Sequence, residues 1–208
     1  ACAKNVACRP GFCSPPSFGT KFSRRGRRRR RAIRPGRAPQ ELYRGRFDGA
    51  TPYVRVRDGR VLVQYRGIPF DWRKRVATLG LNTTIPWTIE IVGGVNRVEA
   101  DLRDVEVRRF ELTGGSERLQ LEFGRPRGDV AIKVVGGSKT IRLERPAGVP
   151  VQVKVVGGSG ALTMDGEGLR RQGGVAKTES RGWASAKDRY ALEVVGGSKS
   201  IDIVERAG

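Results

Sequence analysis

The side chains that could do chemistry in this 208-residue chain are carboxylates, arginines, lysines, three cysteines and a set of glycine pairs; histidine is absent. Without histidine there is no Ser-His-Asp triad, no Cys-His dyad and no His-bearing metal site. Two carboxylate pairs, Glu99 with Asp101 and Asp165 with Glu167, have a spacing that work on a glycosidic bond could use. That chemistry needs two acids roughly 5–10 Å apart across a cleft. Residues two apart on a strand share one face, so the spacing fits. Acids at alternate outward positions are equally the solubilising surface of a half-buried sheet, and no third group clusters with either pair. The sequence is read as non-enzymatic, with no cofactor implied.

Cys2, Cys8 and Cys13 stand six and five residues apart. This is not a CxxC metal pattern, and an odd number cannot pair fully within one chain. Gly136-Gly137-Ser138-Lys139 and Gly196-Gly197-Ser198-Lys199 carry the residue types of a phosphate loop. A phosphate loop opens onto a helix N-terminus, whereas strand-like sequence flanks these on both sides, so they are expected to be structural turns. Arg24, Arg25, Arg27, Arg28, Arg29, Arg30 and Arg31 form the densest charge. Such a run attracts nucleic acid, anionic lipid or other polyanions by counterion release, without reading sequence. No aromatic is interleaved for base stacking. Two readings stand for it, a polyanion anchor and a merely solvated tail.

The elements that must position these residues divide the chain in two. Lys plus Arg is 41 against 21 for Asp plus Glu, a formal net charge of +20. Residues 1–40 hold twelve of the bases and no acid. With so few apolar residues this segment cannot offset its ordering entropy, and it is expected to be a disordered Arg-rich arm. Residues 41–208 are expected to form one domain. Tyr53-Val54-Arg55-Val56-Arg57, Asp58-Gly59 and Val61-Leu62-Val63-Gln64-Tyr65 spell a β-hairpin, two β-rich runs around a tight-turn pair.

From about residue 81 the chain repeats. Apolar-polar-apolar phrases end in Gly93-Gly94, Gly114-Gly115, Gly136-Gly137, Gly157-Gly158 and Gly196-Gly197, at intervals of 21, 22, 21 and 39. An apolar-x-apolar triplet follows each pair, as in Ile141-Arg142-Leu143 and Ile201-Asp202-Ile203. The long interval, with Gly173-Gly174 inside it, is read as a degenerate or looped-out repeat. Period-2 alternation rich in Val and Ile excludes helix. A period near 21 suits one coil of a parallel β-solenoid, stacked ~4.8 Å from the next. Ile89, Phe110, Ile132, Val153 and Leu192 then form one ladder, and Ile91, Leu112, Val134, Val155 and Val194 a second. An antiparallel meander turning at each Gly-Gly is the alternative; its exposed edges would need cover. The fold class is all-β, a Gly-rich single-stranded β-solenoid with the hairpin as N-terminal cap.

Pro86-Trp87-x-Ile89-Glu90-x-Val92-Gly93-Gly94, the Val-Gly-Gly-Ser phrases and Asp188-Arg189-Tyr190-x-Leu192-x-Val194-x-Gly196-Gly197-Ser198 resemble bacterial β-solenoid domains of the toast-rack or putative-adhesin type. Related domains occur in cell-envelope stress-response proteins of the LiaF type. The resemblance covers about 41–208 and implies a fold, a bacterial setting at the cytoplasm or envelope periphery, and no catalytic residues.

Trp72, Trp87 and Trp183 sit near repeat edges, where burial in core or cap is expected of them. Asn82-Thr83-Thr84 is a sequon, relevant only in a glycosylating pathway. No run of 18 apolar residues is present, so no membrane-spanning helix is expected. No secretory signal is visible, and the single methionine, Met164, marks the chain as processed or a fragment. The expected role is a structural or protein-interaction module, with an envelope or protein partner. Polyanion binding through the arm is the alternative, and a polysaccharide-active enzyme a remote third. Open solenoid ends also suggest a homo-oligomer, with Ile201-Asp202-Ile203 as its contact.

Overall fold

The structure is a computed structural model that describes residues 5–9, 31–36, 42–49, 51–57, 60–64, 75–168 and 174–206. Its strands in chain order are β1 (Asn5–Arg9), β2 (Arg31–Gly36), β3 (Tyr43–Gly49), β4 (Tyr53–Arg57), β5 (Arg60–Gln64), β6 (Arg75–Asn82), β7 (Trp87–Val92), β8 (Val95–Leu102) and β9 (Val107–Thr113). They continue as β10 (Ser116–Phe123), β11 (Asp129–Val135), β12 (Ser138–Pro146), β13 (Val151–Val156), β14 (Ser159–Met164), β15 (Glu167–Gly168), β16 (Val175–Glu179), β17 (Arg189–Val195) and β18 (Ser198–Arg206). Among the described residues one 3-10 turn is present, at Trp183–Ser185.

The strands form two nine-stranded sheets. The first has the order β16-β13-β17-β11-β9-β7-β1-β5-β4, the second β15-β14-β18-β12-β10-β8-β2-β6-β3. Each of the five repeats contributes one strand to each sheet, and neighbouring repeats pair in parallel. The parallel pairing makes the repeats coils of a two-strand β-solenoid and excludes the meander, whose pairs would be antiparallel.

Alternation builds the core. In β7 the burial pattern alternates residue by residue, with Trp87, Ile89 and Ile91 inward. Both expected ladders are buried throughout, and register aligns Ile89 with Phe110, Phe110 with Ile132, and Ile132 with Leu192. The second sheet faces them with Val98, Leu119, Ile141, Ile201 and Leu162, all buried. Phe110 meets Phe123 edge-on at 6.3 Å between centroids.

The corner between the sheets explains the glycine pairs. Gly93, Gly114, Gly136, Gly157 and Gly196 all have φ between 101° and 117°, a region that L side chains avoid. Their amides continue the ladder around the bend: Gly93 donates to the Thr113 carbonyl at 2.7 Å, Gly114 to Val135 at 2.8 Å and Gly136 to Val195 at 2.9 Å. A Cβ on Gly114 would lie 2.6 Å from the Gly93 carbonyl carbon. The residue after each pair points inward: Val95, Ser116, Ser138, Ser159 and Ser198 are buried, and Ser116 and Ser138 share a 2.7 Å hydrogen bond.

Three expectations are corrected by the strand order. First, the last repeat does not lie beyond the fourth but between the third and the fourth. β17 lies between β11 and β13, and β18 between β12 and β14. The first ladder therefore runs Ile89, Phe110, Ile132, Leu192, Val153. The 39-residue interval is not a degenerate coil: the chain turns at Asp165 and Gly166, lays β15 and β16 antiparallel along the two sheet edges, and returns to fill the vacant row. Second, Ile201 and Ile203 are buried in an interior strand, so they cannot be an end contact. Third, Asn5–Arg9 and Arg31–Gly36 are strands: β1 pairs with β5 and β7, and β2 with β6 and β8. Each supplies backbone partners to two strands whose facing edges would otherwise be bare, which composition alone does not weigh. The remainder of the expected arm, with Arg24, Arg25, Arg27, Arg28, Arg29 and Arg30, lies outside the described residues, and Arg31 is the first residue of β2. The expected hairpin is present as β4 and β5, with β4 the end strand of its sheet.

Candidate interaction surface

The stack turns every outward position into a column of side chains one strand apart. The central column of the first sheet is Glu90, Glu111, Lys133, Glu193, Lys154 and Lys177 in spatial order. Insertion of the last coil puts Glu193 between two lysines, 3.4 Å from Lys133 and 3.0 Å from Lys154. The hydrogen bond from Lys154, reinforced by the charges of both lysines, holds the Glu193 carboxyl below its ordinary range. The next column is aliphatic: Val92, Thr113, Val135, Val195, Val156 and Val175, half-buried except for the exposed Val175. The second sheet presents Arg142, which reaches Asp202 at 2.6 Å and Glu144 at 2.9 Å, while the Thr163 hydroxyl donates to Asp202 at 2.7 Å.

The carboxylate pairs singled out in the sequence serve this surface. Glu99 pairs with Arg97, and Asp101 with Arg103 at 2.6 Å. The Arg103 hydrogen bond keeps Asp101 below the usual range, the opposite of a general acid. Asp165 is a turn residue at φ 52° and pairs with Arg145. The arginine side chain is 3% exposed and also donates to Glu205 at 3.0 Å. Arg145 thus clasps the third, fifth and fourth coils together. Sequence reasoning missed it; the available signal was an arginine two residues past Leu143, in the inward phase of β12.

The lysine-bearing glycine corners run strand to strand. Ser138 points inward, and Lys139 lies outside, 3.0 Å from Glu117. Trp87 is fully buried, its indole donating to the Asn82 carbonyl at 3.2 Å. Asn82 is itself buried, and its Oδ1 accepts from the Thr84 amide at 2.8 Å and the Thr84 hydroxyl at 2.6 Å. The sequon is thereby folded shut. Trp183 is buried under the Arg189 guanidinium, 4.5 Å from the ring centroid, and Arg189 pairs with Asp129 at 2.9 Å. Trp72 lies outside the described residues. The Tyr190 hydroxyl donates to the Gly124 carbonyl at 2.8 Å, and burial pushes its phenol pKa up. Among the described residues no three His, Cys, Asp or Glu side chains group as metal ligands, and no helix is long and apolar enough to cross a membrane.

No family model matches the chain. No curated protein matches it either. Among solved structures, one described as a putative cell adhesion protein from Clostridium sporogenes is similar, with a TM-score of 0.62 and 20% identity over 84% of this chain and 87% of that one. At that identity the likeness establishes a shared fold.

Proposed function

We propose that this chain is a non-enzymatic interaction module of the adhesin-like type, acting at the bacterial envelope periphery and belonging to the toast-rack group that its Gly-Gly phrases resemble. The observation that carries the reading is the pair of outward columns on the first sheet. A rigid stack holds an aliphatic column beside a charge-paired one across six strands, a platform that repeat folds offer to partners. The similar structure described as a putative cell adhesion protein supports the same class of role.

The test is binding of fluorescently labelled protein to isolated bacterial envelopes. Saturable binding is expected, with loss of at least about tenfold in affinity, or 1.4 kcal/mol, when Val135 and Val156 are both replaced by Lys. Binding that is absent, or indifferent to those changes, overturns the reading.

The Arg run supports a second reading, polyanion binding. Replacing Arg24, Arg25, Arg27, Arg28, Arg29 and Arg30 by Gly and Ser tests it, because deletion of 1–40 would also remove β1 and β2. Fluorescence anisotropy with a short DNA duplex across a salt series is expected to show affinity falling steeply with salt. Equal binding by the replaced chain rejects this reading.

A further inference from the structure

The two end rows of the stack match one another. At one end lie β3 and β4, at the other β15 and β16, and in each the chain passes from the second sheet to the first. Followed through the pairings, β4 and β16 run in the same sense, opposite to the coil strands of the first sheet. β3 and β15 likewise oppose the coil strands of the second. Among the described residues the exposed large hydrophobics are Tyr53, Val56 and Val175, and all three stand on the end strands of the first sheet.

We propose that copies of this chain stack head to tail, with β15 and β16 of one copy adding to β3 and β4 of the next as parallel strands. The assembly does not rest on what the outward faces bind.

Register carries the argument. Tyr53 and Val175 are the two ends of one column, which runs from Tyr53 through Gln64 and Asn5 to the aliphatic stretch between Val92 and Val175. Unstaggered stacking brings them side by side and continues that column into the next copy. By the same count Val56 falls beside Thr178 and Val54 beside Ala176, so the core also continues across the junction and the half-exposed Val56 is covered. Charge agrees. The β3–β4 end carries Arg44, Arg46, Arg55 and Arg57 with one acid, Asp48. Glu179 shares its outward column with Arg57, while Glu167 falls level with Gly45 in the core-facing column of Met164 and Ile203. Lys177 falls beside Arg55, its charge met by Glu179 at 2.8 Å within its own strand. Addition of a strand at a sheet end satisfies backbone groups on both partners. A contact between two different ends is heterologous, so it propagates as a filament.

Sedimentation velocity of the full chain between about 1 μM and about 1 mM, the range of weak specific association, tests this. Species growing past the dimer with concentration are expected. One variant makes the β16 end basic at two matched columns, Val175→Lys with Glu179→Lys; another makes the β4 end acidic at the same columns, Tyr53→Glu with Arg57→Glu. Each alone is expected to sediment as a monomer with a cooperative thermal melt, and an equimolar mixture of the two to regain the long species, because the two recharged ends then fit one another. A wild-type chain that stays monomeric throughout overturns the proposal. So do association that stops at a dimer, variants that assemble as wild type does, and a mixture that stays monomeric while both variants melt normally.

Discussion

Glycine at the first corner position is required twice over, by φ and by the neighbouring corner. Gly114 has φ 117°, and any Cβ there meets Gly93 backbone at 2.6 Å, whereas a Cβ on Gly197 meets nothing within 4 Å. Gly114→Ala is expected to cost about 1–3 kcal/mol from strain and displaced backbone. Gly197→Ala is expected to fall within about 0.5 kcal/mol of wild type. Urea midpoints at constant m-value separate the two, and equal midpoints would refute the stacked-corner account. The ionisable residues predict a pH profile. No histidine is present, so no imidazole titrates between pH 5 and 8. Asp101, Glu179, Glu193 and Glu205 all sit below their ordinary values, held by Arg103, Lys177, Lys154 and the Gly148 amide respectively. A carboxylate with a lowered folded pKa stabilises above its unfolded value and loses that contribution as pH falls through the folded one. Thermal melting is therefore expected to be flat from about pH 5.5 to 8 and to decline below about 4.5, where unfolded Glu begins to bind protons. A transition near neutrality would contradict it.

At the level of elements, what was legible in the sequence was periodicity, and what was not was order. Alternation of Val and Ile with charge specified strands, the inward ladders and the Gly corners, because each depends only on residues within one repeat. The position of the fifth repeat depends on which edge is vacant when it arrives, and a fixed period carries no such information. Charge did carry it: in chain order Lys133 abuts Lys154, and only insertion places Glu193 between them. Arg145 was missed for the same reason, since its partners Asp165 and Glu205 come together only in the inserted order. The insertion has a measurable consequence. A chain ending at residue 188 lacks β17 and β18, which separate the third coil from the fourth. Hydrogen exchange is expected to show β13, β14 and β16 unprotected while β7 to β12 keep their protection. If only the final residues of the truncated chain lost protection, the coils would be stacked in chain order.

The molecule as a whole closes on both of its outermost strand pairs. β1 and β2 occupy the third row from one end and β17 and β18 the third row from the other, so the first and last strands of the chain are interior. The rows beyond them join the central coils only through these strands. The long loops that result make for high contact order and slow folding. The same arrangement distinguishes an appended arm from an integrated segment at the N-terminus. If residues 1–40 were an arm, deleting them would leave the melting temperature unchanged. With β1 between β5 and β7, and β2 between β6 and β8, deletion bares four strand edges and detaches the β3–β6 rows from the coils. The deleted chain is expected to melt several degrees lower, about 2–4 °C per kcal/mol lost in a chain of this size. The Gly-Ser replacement of the Arg run, which leaves β1 and β2 in place, is expected to melt with the wild type. Equal melting of all three chains would return residues 1–40 to the role of a tail. A lowered melt in the deletion alone would mean that the polybasic stretch is held at both ends by the sheets it joins.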